Sequence, residues 1–545
     1  MKPKFVSGPP GTGKTNYFIK DKYIELLEKY SPSRIIILSH TNVAAEEIRD
    51  VILNMPQVKE KGLTEESFED CIGTIHSFCN GRLMPKDTFE DQDYLNCVEE
   101  NSKFNRVKVY NFKKHPFFRF LSEAFGTGYE DLKEFWFSKN VEERKVYHPY
   151  DINSILELKK VYDNYKKRNN LRDFDDMIRD FIDLAKDPED IDALIVDEAQ
   201  DSNKPQLQVL NKLATNVKNG DYYLVGDADQ TIFEFAGSDA DYFHTLSKEA
   251  VELEEGRRCG QTINNICKNI INPIWKHYGY SRKWTPAKYT ERHLGQNKIE
   301  KGLAVGDTIM GRSYHLPNLD SSPHLKILLD KINNTNQTFL FTFRANFSGN
   351  RIREFLIGNA IEFSRFDHGP YVSKKELNCH YLWPKFVAGE PMSLDQIKAF
   401  WDYMGSVVIE RGKSKAKKPF KDWIKKDYTI DYLIKEGLLR PESKQYNRFD
   451  KIVTKKESSR LLYINRIIQK GFDFDGDVRV KYGNFHQVKG LTFDNVIVDE
   501  TLPRPEPYHV QLRLKYVAYS RGIFDCWTLA TSNKRRLGTL HGSVQ

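Results

Sequence analysis

The chain has 545 residues with 83 basic and 76 acidic side chains, and its net charge of +7 permits a polyanionic partner without demanding one. At ~150 residues per domain this length suggests ~3 to 4 domains, each able to bury a core. No stretch approaches the ~20 apolar residues of a membrane span and no signal peptide precedes the first strand; the seven cysteines include no C-x-x-C pair, so the reading is a soluble, cytoplasmic protein (host cytoplasm if viral) with no membrane partner, disulfide framework, or zinc or iron–sulfur site.

In chain order, the first feature is GPPGTGKT, comprising Gly8, Pro9, Pro10, Gly11, Thr12, Gly13, Lys14 and Thr15. It fits G-x-x-x-x-G-K-[ST], in which backbone N–H groups curl round phosphates, the lysine meets the β/γ oxygens and the threonine hydroxyl holds Mg²⁺. KFVS before it reads as a short buried strand, and residues 16–30 carry apolar side chains at helical spacing. The loop therefore sits at the positive end of a helix.

RIIILSHT and DALIVDEAQD each read as a buried parallel strand running into a loop at one sheet edge. In the second, Asp197 and Glu198 directly follow the apolar run. One carboxylate to hold Mg²⁺ and one to polarise a water is what phosphoryl transfer to water requires; a solvated acidic loop is the competing reading. A third strand, DYYLVGD, ends in GDADQTIF and brings Gln230 to the same edge, where an amide can sense the γ-phosphate without adding charge.

These motifs resemble a superfamily 1 DNA helicase of the UvrD/PcrA/Rep type, and the likeness runs through eight ordered segments. GPPGTGKT resembles motif I, ILSHTNVAAEEI motif Ia, GTIHSF motif Ib, VDEAQD motif II, VGDADQTIFEFAG motif III, LEEGRR motif IV, FHQVKGLTFDNVIV motif V and LKYVAYSRG motif VI. The resemblance implies an α/β fold with two RecA-like P-loop motor domains, each interrupted by a mainly helical accessory insertion. It implies ATP and Mg²⁺ as cofactors, with Thr15 and Asp197 on the metal. Glu198, Gln230 and two arginine fingers, Arg258 and Arg521, would be catalytic, the arginines reaching the γ-phosphate from the second motor domain. Arg257 and Gly490 join the nucleotide set. For the strand, it implies His40, Thr41 and Asn42, Thr74 and His76, an aromatic pair Phe233 and Phe235, Arg344 and Asn346 of an R-x-N, and His486. There are departures: the motif Ia phenylalanine is His40, and the arginine after the aromatic pair is Ala236. Any one aromatic here could equally be core.

The implied organisation is a first motor over 1–82 and 171–250, its insertion over 83–170, a second motor over 251–370 and 478–545, and its insertion over 371–477. The second motor's α/β set reads as TFLFTF, a helix over 347–358, NAIEF, VIVDE, a helix over 512–520 and CWTLAT. Residues 411–426 hold eight basic side chains against one acidic, with Phe420 and Trp423 among them. That is either a nucleic-acid contact or a solvated loop. The expected activity is ATP-dependent, 3′ to 5′ movement on single-stranded DNA with unwinding at duplex junctions, alongside replication or repair proteins. The alternative is an ATP-regulated clamp or protein-displacing translocase without strand separation.

One point concerns the base. The family's adenine-reading glutamine does not occur in the seven residues before Gly8, and its base-stacking tyrosine aligns with Arg257. A guanidinium stacks on any base, so the expectation is broad nucleotide tolerance.

Overall fold

Strands that are apolar on both faces, such as Ile35–Ser39 and Ala193–Val196, are stable only inside a sheet covered by helices on either side. In the computed structural model both are buried along their whole length. The structure describes residues 2–529 apart from 18–20, 69, 108, 110, 185–190, 297, 300–301, 367–368, 406, 411–426, 454–457, 472–477 and 502–506. The basic segment 411–426 and the last residues of CWTLAT lie outside that description. The chain divides into two units, Met1–Met310 with Glu506–Ser520, and Gly311–Pro505 with Arg521–Gln545.

The first unit holds a six-stranded parallel sheet. Across it run Ile72–Thr74, Ile35–Ser39, Ala193–Val196, Tyr222–Gly226, Lys4–Ser7 and Val251–Glu252. Because all six point the same way, the loops after them open on one edge, where ligands of α/β sheets sit. The helix expected over 16–30 is described as Lys14–Tyr17 and Tyr23–Leu27. Residues 83–170 form helices Asp91–Glu100, Pro116–Gly126, Leu132–Ser138 and Ile152–Arg168 around a core of their own that includes Phe104, Phe117, Phe118, Phe120 and Tyr162.

The second unit holds a seven-stranded sheet whose order is Gly369–Pro370, Ser364–Arg365, Val480–Asn484, Phe339–Phe343, Phe493–Asp499, Gly522–Leu529 and Ser313–Leu316. All neighbours are parallel except the first pair. NAIEF is not itself a strand. Ala360, at φ 48°, turns the chain after helix Asn346–Gly358, and the ladder begins only at Ser364. Within 371–477, helices Lys374–Val387, Leu394–Tyr403 and Ile430–Lys435 enclose Trp383, Phe386, Phe400 and Trp401.

Two boundaries differ from the sequence reading. Residues 251–310 fold with the first unit, not the second, because Val251–Glu252 pairs with Lys4–Ser7. Beyond it, Leu253 N–H donates to the Ser7 carbonyl at 2.8 Å and Arg257 N–H to that of Gly11 at 2.8 Å. The second difference is helix Tyr508–Tyr519, read as part of the second α/β set, which also packs within the first unit. Its apolar pattern identifies a helix but not the sheet it covers.

The helical insertion meets the loop after Tyr222–Gly226 at two glycines. A Cβ on Gly237, which has φ 98°, would stand 1.9 Å from the Gly126 carbonyl oxygen, and one on Gly126 would stand 2.2 Å from that of Ala236. Only backbone fits between them, and the φ adds strain for any other residue. Gly237→Ala should therefore destabilise the protein by ~2 kcal/mol or more, seen as a lower thermal midpoint, whereas Gly62→Ala, also at positive φ but with open space around its Cβ, should cost less.

Candidate nucleotide and nucleic-acid site

The phosphate loop is shaped by its own short contacts. Thr12 Oγ1 donates to the Pro9 carbonyl at 2.8 Å, and buried Lys14 donates from Nζ to that of Gly8 at 2.8 Å. Burial lowers the Lys14 pKa, opposed by the nearby carboxylates of Asp227, Glu198 and Asp197. Gly11 and Gly13 take φ of 75° and 77°, which glycine allows without strain. Across from the loop, the Thr15 hydroxyl donates to Asp197 Oδ2 at 2.9 Å. Among the described residues, the other Asp197 oxygen is buried with no hydrogen-bond partner. A hydroxyl beside an unsatisfied carboxylate oxygen is the hard-oxygen donor set that Mg²⁺ takes.

Glu198 follows in the left-handed region at φ 50°. A non-glycine residue there carries strain that the surroundings must hold in place. Gln200 supplies part of that hold: its Nε2 donates to Glu198 Oε2 at 2.5 Å, while its Oε1 accepts from Asp227 N–H at 2.9 Å. Gln230 completes the row by donating from Nε2 to Asp227 Oδ2 at 2.9 Å. One hydrogen-bonded chain thus runs from Glu198 through Gln200 and Asp227 to Gln230.

Sequence reasoning missed the residue beneath this chain. Arg282 is fully buried and donates from Nη1 to Asp227 Oδ1 at 2.6 Å and Asp229 Oδ2 at 2.9 Å, and from Nη2 to Ser7 Oγ at 2.7 Å. Its Nε lies 3.2 Å from Glu252. Trp275 Nε1 donates to Asp229 Oδ2 at 2.7 Å. Burial, then the neighbouring Asp227, pushes the Asp229 carboxyl up to about 6 against the pull of Arg282.

Arg258 belongs to the first unit, not the second, and its Cβ stacks against Gly11. Nη1 lies 3.5 Å from the Ser520 carbonyl, which also accepts from the Cys259 thiol. Arg257 lies over Gly13 with its side chain more than half exposed. Arg521, in the second unit, is buried, and its carbonyl accepts from Phe493 N–H at 2.8 Å.

The residues implied for strand contact stand on the loop-bearing edges of the two sheets. In the first unit, His40, Thr41 and Asn42 follow Ile35–Ser39, and His76 follows Ile72–Thr74. The Thr41 hydroxyl caps helix Asn42–Leu53, and that of Thr74 caps helix Ile75–Gly81, so both already hold the fold. His40 Nε2 is 3.1 Å from Ser202 Oγ. Phe233 and Phe235 lie 6.1 Å apart between ring centres, with Phe235 48% exposed. Phe174, 40% exposed, meets His76 edge-on at 5.5 Å and carries Lys113 Nζ 4.7 Å over its face. Burial and Lys113 push the His76 pKa down to about 4. A cavity of ≈1090 Å³ opens beside Phe174 and Phe235, between the insertion helices and this edge. In the second unit, Arg344 and Asn346 follow Phe339–Phe343, and His486 follows its parallel neighbour Val480–Asn484, so adjacent strands deliver all three. Gly490 takes φ 84° in the loop after that.

Residues 1–251 match the family model of the UvrD/REP helicase N-terminal domain. The chain is UvrD/PcrA/Rep-like. It is 26% identical over 294 residues to a probable DNA helicase II homolog of Mycoplasma pneumoniae, covering 49% of this chain and 39% of that protein. The ATP-dependent DNA helicase Rep of Buchnera aphidicola subsp. Schizaphis graminum is 26% identical over 343 residues (56% and 48%). PcrA of Staphylococcus aureus strain Mu50 is 24% identical over 294 residues (49% and 38%). The chain thus spans about half the length of the curated relatives it matches. Among its described residues, no helix is long and apolar enough to cross a membrane.

Burial, and then the Glu198 charge, raises Asp197 to about 7 in the folded chain, from 3.8 ordinarily. A carboxyl that holds its proton more tightly when folded withdraws stability as pH rises from about 4 to about 7. Asp197→Asn should therefore stabilise the nucleotide-free protein by ~1 to 3 kcal/mol at pH 8 and by roughly a third of that at pH 5, measured by thermal melts in EDTA.

Proposed function

We propose that this protein is an ATP-driven DNA translocase and helicase of the UvrD/PcrA/Rep type, with both sheets acting as RecA-like motor domains. The observation that carries the reading is the joined row of Thr15, Asp197, Glu198, Gln200, Asp227 and Gln230 beside the phosphate loop. In it, Lys14 and the loop amides bind the β- and γ-phosphates, and Thr15 and Asp197 would hold Mg²⁺. The metal, when bound, neutralises charge on the phosphate oxygens. Glu198 accepts the proton of the attacking water. Gln230 senses whether the γ-phosphate is present, and through Asp227 its position bears on the loop that ends in Phe233 and Phe235. Arg258 and Arg521 offer positive charge to the transferring phosphoryl group.

Phe233 and Phe235 supply stacking faces for single-stranded bases, worth ~1 to 3 kcal/mol each. His40, Asn42, His76, Arg344, Asn346 and His486 add polar contacts along the strand. By the family likeness, movement is 3′ to 5′, with duplex junctions as substrate and replication or repair proteins as partners.

Glu198→Gln keeps the shape of the site and removes the base, so nucleotide binding should persist while turnover falls by ~10² or more. Filter binding of labelled ATP beside steady-state hydrolysis checks both halves; normal turnover would remove Glu198 from the mechanism. A duplex with a 3′ single-stranded tail should be unwound with ATP and Mg²⁺ and one with a 5′ tail should not. Hydrolysis without unwinding of either would favour a clamp.

A further inference from the structure

The helix Tyr508–Tyr519 touches three parts of the first unit. At its middle, Arg513, 1% exposed, donates from Nη1 to Glu234 Oε2 at 2.7 Å. Glu234 lies between Phe233 and Phe235. One turn on, the Tyr516 hydroxyl donates to Asp227 Oδ2 at 3.4 Å, the same oxygen that holds Gln230. Just past its end, the Ser520 carbonyl accepts from Arg258, and Arg521 follows directly in the chain. Arg513 and Tyr519 are ~9 Å apart along one rigid helix at 1.5 Å per residue.

The Arg513 end is held in a single orientation. Its Nη2 lies 3.1 Å from His244 Nε2, and a guanidinium has no acceptor, so Nε2 accepts and the ring proton sits on Nδ1, which donates to Tyr280 Oη at 2.7 Å. Burial, with Arg513 and Arg282 nearby, pushes the His244 pKa down to about 2, so the ring stays neutral. It stacks face to face on Tyr278 at 4.0 Å. Among the described residues, Glu234 is the carboxylate that pairs with Arg513, and its side chain is 29% exposed. A buried, oriented cation tied to a partly exposed anion in the aromatic loop is a lever with one movable end.

We infer that Arg513 and Glu234 are positioning residues whose ion pair transmits occupancy of the Phe233–Phe235 loop by single-stranded DNA, through helix Tyr508–Tyr519, to Gln230 and the arginines at the helix end. This rests on the helicase reading. When a base seats on Phe235, the loop shifts Glu234, Arg513 follows because its charge is otherwise uncompensated, and the helix carries the shift to Tyr516 and Arg521. Both act through the aromatic loop and the helix, not by contact with nucleotide or DNA.

The test compares Glu234→Gln with wild type in full-length protein, using oligo(dT). Read out are hydrolysis with and without DNA, DNA affinity by fluorescence anisotropy, and the thermal midpoint. Expected is unchanged basal hydrolysis, DNA affinity within about 3-fold, and a stimulation ratio lower by about 10-fold, the size of one charge-assisted hydrogen bond. Glu234→Asp, which keeps the charge, should recover part of that ratio. Combining Glu234→Gln with Arg513→Gln should lower the ratio no further than the single change, since both cut one link. Stimulation in Glu234→Gln equal to wild type overturns the inference and leaves the helicase reading intact. So does a loss matched by equal falls in basal rate and thermal midpoint. A wild type that DNA does not stimulate overturns both.

Discussion

A cation removed wholly from water dictates much of the first unit. Desolvating a guanidinium costs several kcal/mol, recovered only if its partners are already in place with good geometry. Arg282 meets that condition with Asp227 and Asp229 from the loop after one strand, Ser7 at the end of a second and Glu252 on a third. Stretches of chain as far apart as Ser7 and Arg282, 275 residues, must converge before the charge is satisfied. The phosphate loop begins one residue after Ser7, and Gln230 and the aromatic pair follow Asp227, so both working loops leave a common rigid base. In its low-dielectric surroundings a half-satisfied version would be worse than none.

Above that base, the arrangement stores strain where chemistry needs it. Glu198 is bent into the left-handed region and Gln200 ties it to the same Asp227 that Arg282 neutralises. The base and the γ-phosphate sensor therefore share an anchor. A displacement of either is felt by the other through three hydrogen bonds, which makes position rather than intrinsic reactivity the controlled quantity.

What was legible in the sequence follows from how local each requirement is. Gly11, Gly13 and Lys14 declare themselves because the turn needs their backbone and charge at fixed spacing, and Asp197 and Glu198 because they end an apolar strand. Arg282 in SRKWT looks like any surface arginine; its partners lie at 7, 227, 229 and 252, and no periodicity links them. The boundary near 250 was misplaced for the same reason: two residues, Val251 and Glu252, extend the first sheet, too short a run to announce a strand. Thr41 and Thr74, implied for strand contact by the family likeness, also cap their helices by accepting the N–H three residues on, a second role that threonine ahead of a helical run signals in the sequence. Phe235 could not be told from core by composition; its exposure decides that.

The assignment of helix Tyr508–Tyr519 to the first unit has a consequence for how the protein is made. The first sheet and its insertion are complete in the chain by Met310, but the helix that covers Asp227 and Glu234 comes ~200 residues later. At a synthesis rate of ~5 to 20 residues per second, roughly 10 to 40 s pass between the two. During that interval the face awaiting Arg513 and Tyr516 stands open, with the carboxylates of Asp227 and Glu234 lacking those donors. The nascent first unit thus relies on its remaining polar contacts, and on whatever shields its surface, until helix Tyr508–Tyr519 emerges from the ribosome.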